Sequence, residues 1–130
     1  MSRVIHFEIH AADVSRAVEF CRSVFDWEVE DWSEYAGSPY FGVRTGADAP
    51  GIDGAIMQRR GENPEVGGVV AGAVLTMGSA DFDTTAERIL AAGGQVALPK
   101  HALPGMAWQG YFLDTENNVF GVHQPDPAAA

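Results

Sequence analysis

Positive charge is scarce in this chain. Eight lysine and arginine side chains stand against 18 aspartates and glutamates, a formal net charge of −10 over 130 residues. That balance repels a phosphate backbone, and no Lys/Arg cluster reverses it locally, so nucleic acid is not an expected partner. Anionic membrane surfaces are disfavoured for the same reason. Cysteine is nearly absent: Cys21 stands alone, which excludes an intrachain disulfide and a cysteine-based zinc site. The N-terminus shows no apolar run of signal-peptide length, and no segment reaches membrane-spanning length. The expectation is a cytoplasmic protein with no membrane partner. What remains, 46% hydrophobic and 20% charged, is ordinary for a globular chain and sufficient for the core of a single domain over residues 1–130.

The first stretch, Val4 to His10, alternates strictly. Ile5, Phe7 and Ile9 point one way and His6, Glu8 and His10 the other, the pattern of a strand between two environments. The apolar row should meet a helix; two imidazoles flanking a carboxylate on the other row are the first hint of a site. Asp13 is placed to cap a helix over 14–25, whose apolar stripe is Val14, Ala17, Val18, Cys21, Val24 and Phe25. Strands are expected at 27–32, 40–44 and 52–60, with a loop at 46–51. The Gly- and Pro-bearing segment 60–68 reads as a linker. The plan then restarts with a strand at 69–77. Asp81 caps a helix that buries Phe82, Thr85, Ala86, Ile89 and Leu90, and Gly93-Gly94 ends it. Strands at 95–98, 107–113 and 119–124 follow, separated by a loop at 99–105 and a turn at 114–118. The tail from Pro125 reads as frayed.

The halves match at an offset of 68: Asp13 falls on Asp81, Cys21 on Ile89, Phe7 on Leu75 and Ile9 on Met77. A repeated βαβββ unit explains this, with modules at about 3–60 and 69–124. The fold class is α+β: two tandem modules forming a cupped mixed sheet with a cleft, the helices outside. On the same offset His6 meets Val74, Glu8 meets Thr76 and His10 meets Gly78, so the packing side repeats while the cleft side diverges.

The opening Val4-Ile5-His6-Phe7-Glu8-Ile9, the helix segment Ala17-Val18-Glu19-Phe20, Ala91-Ala92-Gly93-Gly94 and the ending Asp114 to Gly121 resemble the vicinal-oxygen-chelate superfamily. That group includes glyoxalase I, extradiol dioxygenases, and fosfomycin- and bleomycin-resistance proteins. The resemblance implies a homodimer, and in metal-dependent members His or Glu ligands on the first and last strand of each module. His6 matches the first such position. Val74 and Gly121 occupy two others, and the fourth falls within Gly54 to Met57, where no residue is a hard ligand. One position of four is filled, and a catalytic ion needs about three protein ligands. No metal and no cofactor are therefore expected.

The resulting expectation is a glyoxalase/bleomycin-resistance-like protein whose cleft binds a small organic ligand. His6, Glu8, Thr76 and His123 would orient it, and Trp108 would wall it. A second reading stays open: a metal-dependent lyase or dioxygenase with a relocated site, in which His6, Glu8 and His123 form a facial set. Tyr40, Trp27 and Trp32 read as core aromatics, His101 as a solvated loop residue and Cys21 as core.

Overall fold

The computed structural model describes residues 3–70 and 72–130. The chain divides into two compact units, Met1–Asn63 and Pro64–Ala130. The first contains β1 (Phe7–Ala11), α1 (Val14–Phe25), β2 (Glu28–Asp31), a short α2 (Ser33–Ala36), β3 (Tyr40–Arg44) and β4 (Gly54–Gln58). The second contains β5 (Leu75–Gly78), α3 (Phe82–Ala91), β6 (Gln95–Leu103), β7 (Ala107–Leu113) and β8 (Val119–Pro125). Each unit carries one four-stranded mixed sheet, in the orders β1-β4-β3-β2 and β5-β8-β7-β6. In both, the first strand pairs parallel with the last and the rest pair antiparallel. The tandem βαβββ reading of the sequence is the fold observed. Among the described residues no helix is long and apolar enough to cross a membrane.

The two helices begin alike. Asp13 accepts from Arg16 N at 3.0 Å and Asp81 from Thr84 N at 3.2 Å, each satisfying a first-turn amide that lacks an intrahelical partner. Hydrogen bonds from the Thr84 backbone and side chain hold the Asp81 carboxyl below its ordinary value. α1 buries Val14, Ala17, Val18, Phe20, Cys21 and Val24, and an aromatic chain of Phe25, Trp27 and Phe7 continues that core. α3 buries only Phe82 and Ile89, against Phe112 and Phe120 of the sheet.

Several boundaries differ from expectation. β1 starts at Phe7, not Val4, and Ile5 is 82% exposed instead of facing the helix. The partner strand explains it: β4 begins at Gly54, opposite Phe7, so no strand residue lies beside Ile5. β5 is only Leu75–Gly78; Val69 and Val70, expected within it, are exposed and outside any strand, and Ala71 lies outside the described residues. Leu90 is half exposed. The 99–105 loop is largely strand, since β6 runs on through Pro99 to Leu103. Proline is tolerated there because β6 is an edge strand with register shifts on either side of Leu98. The tail is packed, not frayed. Ala129 O accepts from Gly105 N, Met106 O from Asp126 N, and Ala129 is buried.

Candidate functional site

Side chains of each sheet alternate between a face backed by the helix and an open face. In the first unit the register sets Glu8 beside Ala55, Gly42 and Glu30, and His10 beside Met57 and Tyr40. The Tyr40 hydroxyl is the centre of this face. It donates to Glu8 Oε2 at 2.8 Å and lies 3.1 Å from His6 Nε2. A phenol has one proton, and here it goes to the carboxylate, so His6 Nε2 is the donor to the phenol oxygen. A directed chain, His6 to Tyr40 to Glu8, results. Burial, and then the Glu8 carboxylate beside it, pushes the Tyr40 phenol above its ordinary 10.0, so it remains a neutral donor.

Trp32 extends the same face. Its backbone N donates to Tyr40 O at 2.9 Å, and its ring lies over Gly42 where a Cβ would otherwise stand. The Trp32 and Tyr40 rings are within 18° of parallel, with centroids 6.4 Å apart. Gly42 and Ala55 present no bulk that would lift the indole off the sheet.

In the second unit the open face holds Thr76, Gly121 and Tyr111 in one row, and Gly78, His123, Gln109 and His101 in the next. Gln109 is buried, and its Oε1 lies 2.7 Å from His123 Nδ1. An amide oxygen only accepts, so Nδ1 carries a proton and donates. A Cβ on Gly121 would fall 2.9 Å from Thr76 Oγ1, 3.0 Å from Gln109 Nε2 and 3.2 Å from Tyr111 Cε1, so these side chains close over the glycine.

Of the residues expected at a site, His6 and Glu8 are joined through Tyr40, and Thr76 and His123 share the open face of the second unit. Trp108 is not with them. It alternates with Gln109, its indole faces Lys100 Nζ at 4.7 Å together with Phe82 of α3, and its Nε1 donates to Asp126 Oδ2 at 3.1 Å. It is a wall of the helix side, where it anchors the tail. His101, read as a loop residue, is in β6 opposite Gln109. Tyr40 and Trp32, read as core aromatics, belong to the open face, and Gln109 carries no sequence signal of its role. Tyr40 faces the β1 carboxylate only by way of β4, a register that a single chain does not print.

The positions where the family resemblance implies metal ligands do not supply a donor set. Glu8 and Thr76, which correspond at the offset of 68, pair with Ala55 and Gly121 respectively, so those two small residues are equivalent and neither offers a ligand atom. Val74 is apolar and exposed. Among the described residues no group of three or more His, Cys, Asp or Glu side chains could hold an ion.

Comparison with known proteins agrees with the architecture. A fosfomycin resistance protein FosX from Mesorhizobium loti is 23% identical, with 97% of this chain and 94% of that one covered and a TM-score of 0.69. A point mutant of FosX from Listeria monocytogenes, solved with Mn(II) and 1S,2S-dihydroxypropylphosphonic acid, is 22% identical, covering 97% and 92% at a TM-score of 0.71. A glyoxalase/bleomycin resistance protein/dioxygenase family enzyme from Burkholderia phytofirmans is 18% identical, covering 93% and 97% at 0.71. At these identities the likeness establishes the fold. A search of curated proteins gave no match. The family model for the Glyoxalase/Bleomycin resistance protein/Dioxygenase superfamily matches residues 3–122, and the chain belongs to that superfamily.

Proposed function

We propose that this protein binds a small organic ligand on the open faces of its sheets and does so without the family metal. The observation that carries this reading is the engagement of His6 and Glu8 by Tyr40. His6 Nε2 already donates to the phenol, which in turn donates to Glu8, and this suits a pre-formed polar surface for an organic molecule. Ala55 and Gly121, small and covered, offer no ligand atom at the positions paired with Glu8 and Thr76. His6, Glu8 and Tyr40 orient a ligand in the first unit; Thr76, Gln109 and His123 do so in the second.

The second reading is a metal-dependent lyase or dioxygenase with a relocated His/Glu site. The Mn(II) in the Listeria FosX structure favours it, although that protein is only 22% identical. Elemental analysis of the purified protein decides between them. The expected result is no stoichiometric divalent ion; one ion per chain, lost on His6→Ala, would establish the second reading. A homodimer is also part of the proposal. Leu90, Val96 and Leu98 lie half exposed on α3 and the edge strand β6, and Val4, Ile5 and Val69 are more exposed still, apolar surface that a second copy would cover. Light scattering at micromolar concentration should give twice the 13.9 kDa chain mass.

A further inference from the structure

The open face of the first unit has a chemistry of its own. Trp32, 42% exposed, lies over Gly42 with Tyr40 nearly parallel beside it. The strand register puts Glu8 and Glu30 on the same face, on either side of the Gly42–Ala55 pair that carries no side-chain bulk. Arg44 of β3 stands opposite Glu28 in the register, and Arg59, just after β4, donates to the His10 carbonyl. Among the described residues Glu8 receives one hydrogen bond, at Oε2, from a neutral phenol, which leaves its charge uncompensated. An aromatic surface beside a carboxylate that only a neutral phenol engages attracts one class of molecule above others. The face of an indole carries negative quadrupole density, and a carboxylate nearby adds a full charge.

We propose that the first unit's open face is a binding site for an organic cation of the ammonium class, seated on Trp32 and Tyr40 and balanced by Glu8. This rests on the small-molecule reading above and deepens it by naming the ligand's charge. The apolar part of the ligand covers the indole, and its cationic head sits toward Glu8. Quaternary ammonium suits the site because it needs no hydrogen bonds from groups that Tyr40 already occupies. His6, whose Nε2–H points at the phenol, serves as a positioning residue: it keeps the Tyr40 proton directed to Glu8.

The test uses the full chain and three probes of matched shape. Choline is the cation, 3,3-dimethylbutan-1-ol the neutral isostere and 3,3-dimethylbutanoate the anion. Binding is read from the Trp32 indole and His6 ring signals by NMR titration. Choline should bind about tenfold or more tightly than the neutral alcohol, the size of a cation–π contact with a carboxylate in support, and the anion should not bind. Its affinity should fall as salt rises. Glu8→Gln should erase most of the preference for choline over the alcohol. Trp32→Leu should weaken choline about tenfold, while Trp32→Phe, which keeps a ring, should weaken it less; circular dichroism verifies that each variant is folded. Equal binding of alcohol and choline, or a choline preference unmoved by Glu8→Gln, would overturn the proposal. If choline fails while a neutral or anionic compound shifts His6 or His123, the cation assignment is wrong and the small-molecule reading survives. If no compound of any charge shifts either ring, both fall.

Discussion

The two units share a plan and differ on one side of it. On their helix-backed faces they correspond closely: aspartate caps at positions 13 and 81, a fully buried isoleucine in each core, and aromatic rings filling the space between helix and sheet. On their open faces they diverge around a shared pair of imidazoles. The first adds a carboxylate, a phenol and an indole to His6 and His10; the second adds an amide and a threonine hydroxyl on a glycine strand to His123 and His101. The histidines also engage through different ring nitrogens: His6 donates through Nε2 and His123 through Nδ1. Packing tolerates little change because a core is filled to crystal-like density. An open face carries no such demand, so the two copies diverge there, and that divergence is where ligand chemistry is set.

The largest expected effect tests the shared side. Ile56 in β4 and Ile89 in α3 are both fully buried, so Ile56→Ala and Ile89→Ala should each cost about 2–5 kcal/mol in urea unfolding. A large loss from one and none from the other would mean that the cores are not equivalent.

Smaller changes should separate the open faces. Gly42→Ala places a methyl inside the Trp32 ring, and Gly121→Ala places one between Thr76, Gln109 and Tyr111. Either substitution should cost about 1–3 kcal/mol by overpacking. Only Gly42→Ala should shift tryptophan emission, because Trp108 lies on the helix side of the other sheet. Matching emission changes in both variants would contradict the assignment of Trp108.

The division into modules is legible in the sequence because it is written in short-range signals: an aspartate before an apolar stripe, alternation along strands, and an offset that aligns Phe7 with Leu75. His6 and Glu8 are legible because they lie on one strand. Their partner is not. Tyr40 reaches Glu8 across two strand pairings, and Trp32 is held flat by a glycine on the neighbouring strand. Trp108 stands on the face opposite to the expected one because the register of β7 is fixed by its pairing with β8. The bulged edge strand through Pro99 hides His101 in the same way. The packing of the tail is equally hidden, because its anchors, Trp108 and Gly105, lie about 20 residues upstream.

A subtler effect belongs to the second unit alone. Asp114 organises the turn before β8, accepting from Glu116 N at 2.8 Å and Asn118 N at 2.9 Å. Burial pushes its carboxyl above the ordinary value despite those bonds. A carboxyl that binds its proton more readily in the folded state adds stability at pH below its unfolded value. That contribution is lost as pH rises through the higher folded value. Asp114→Asn should remove this dependence, so the variant should gain on the parent as pH is raised from about 4, near the unfolded carboxylate value. A stability difference constant across that window would show that Asp114 is not linked to the fold.

The central claim, organic ligand binding on these open faces without a metal, is tested most directly by histidine ring NMR of chelator-treated protein screened against small organic compounds. The expected result is a set of hits that move the ring signals of His6 or His123, with the His6 response altered in Tyr40→Phe. Hits that appear only after a divalent ion is restored, or that leave both rings unmoved, would contradict it.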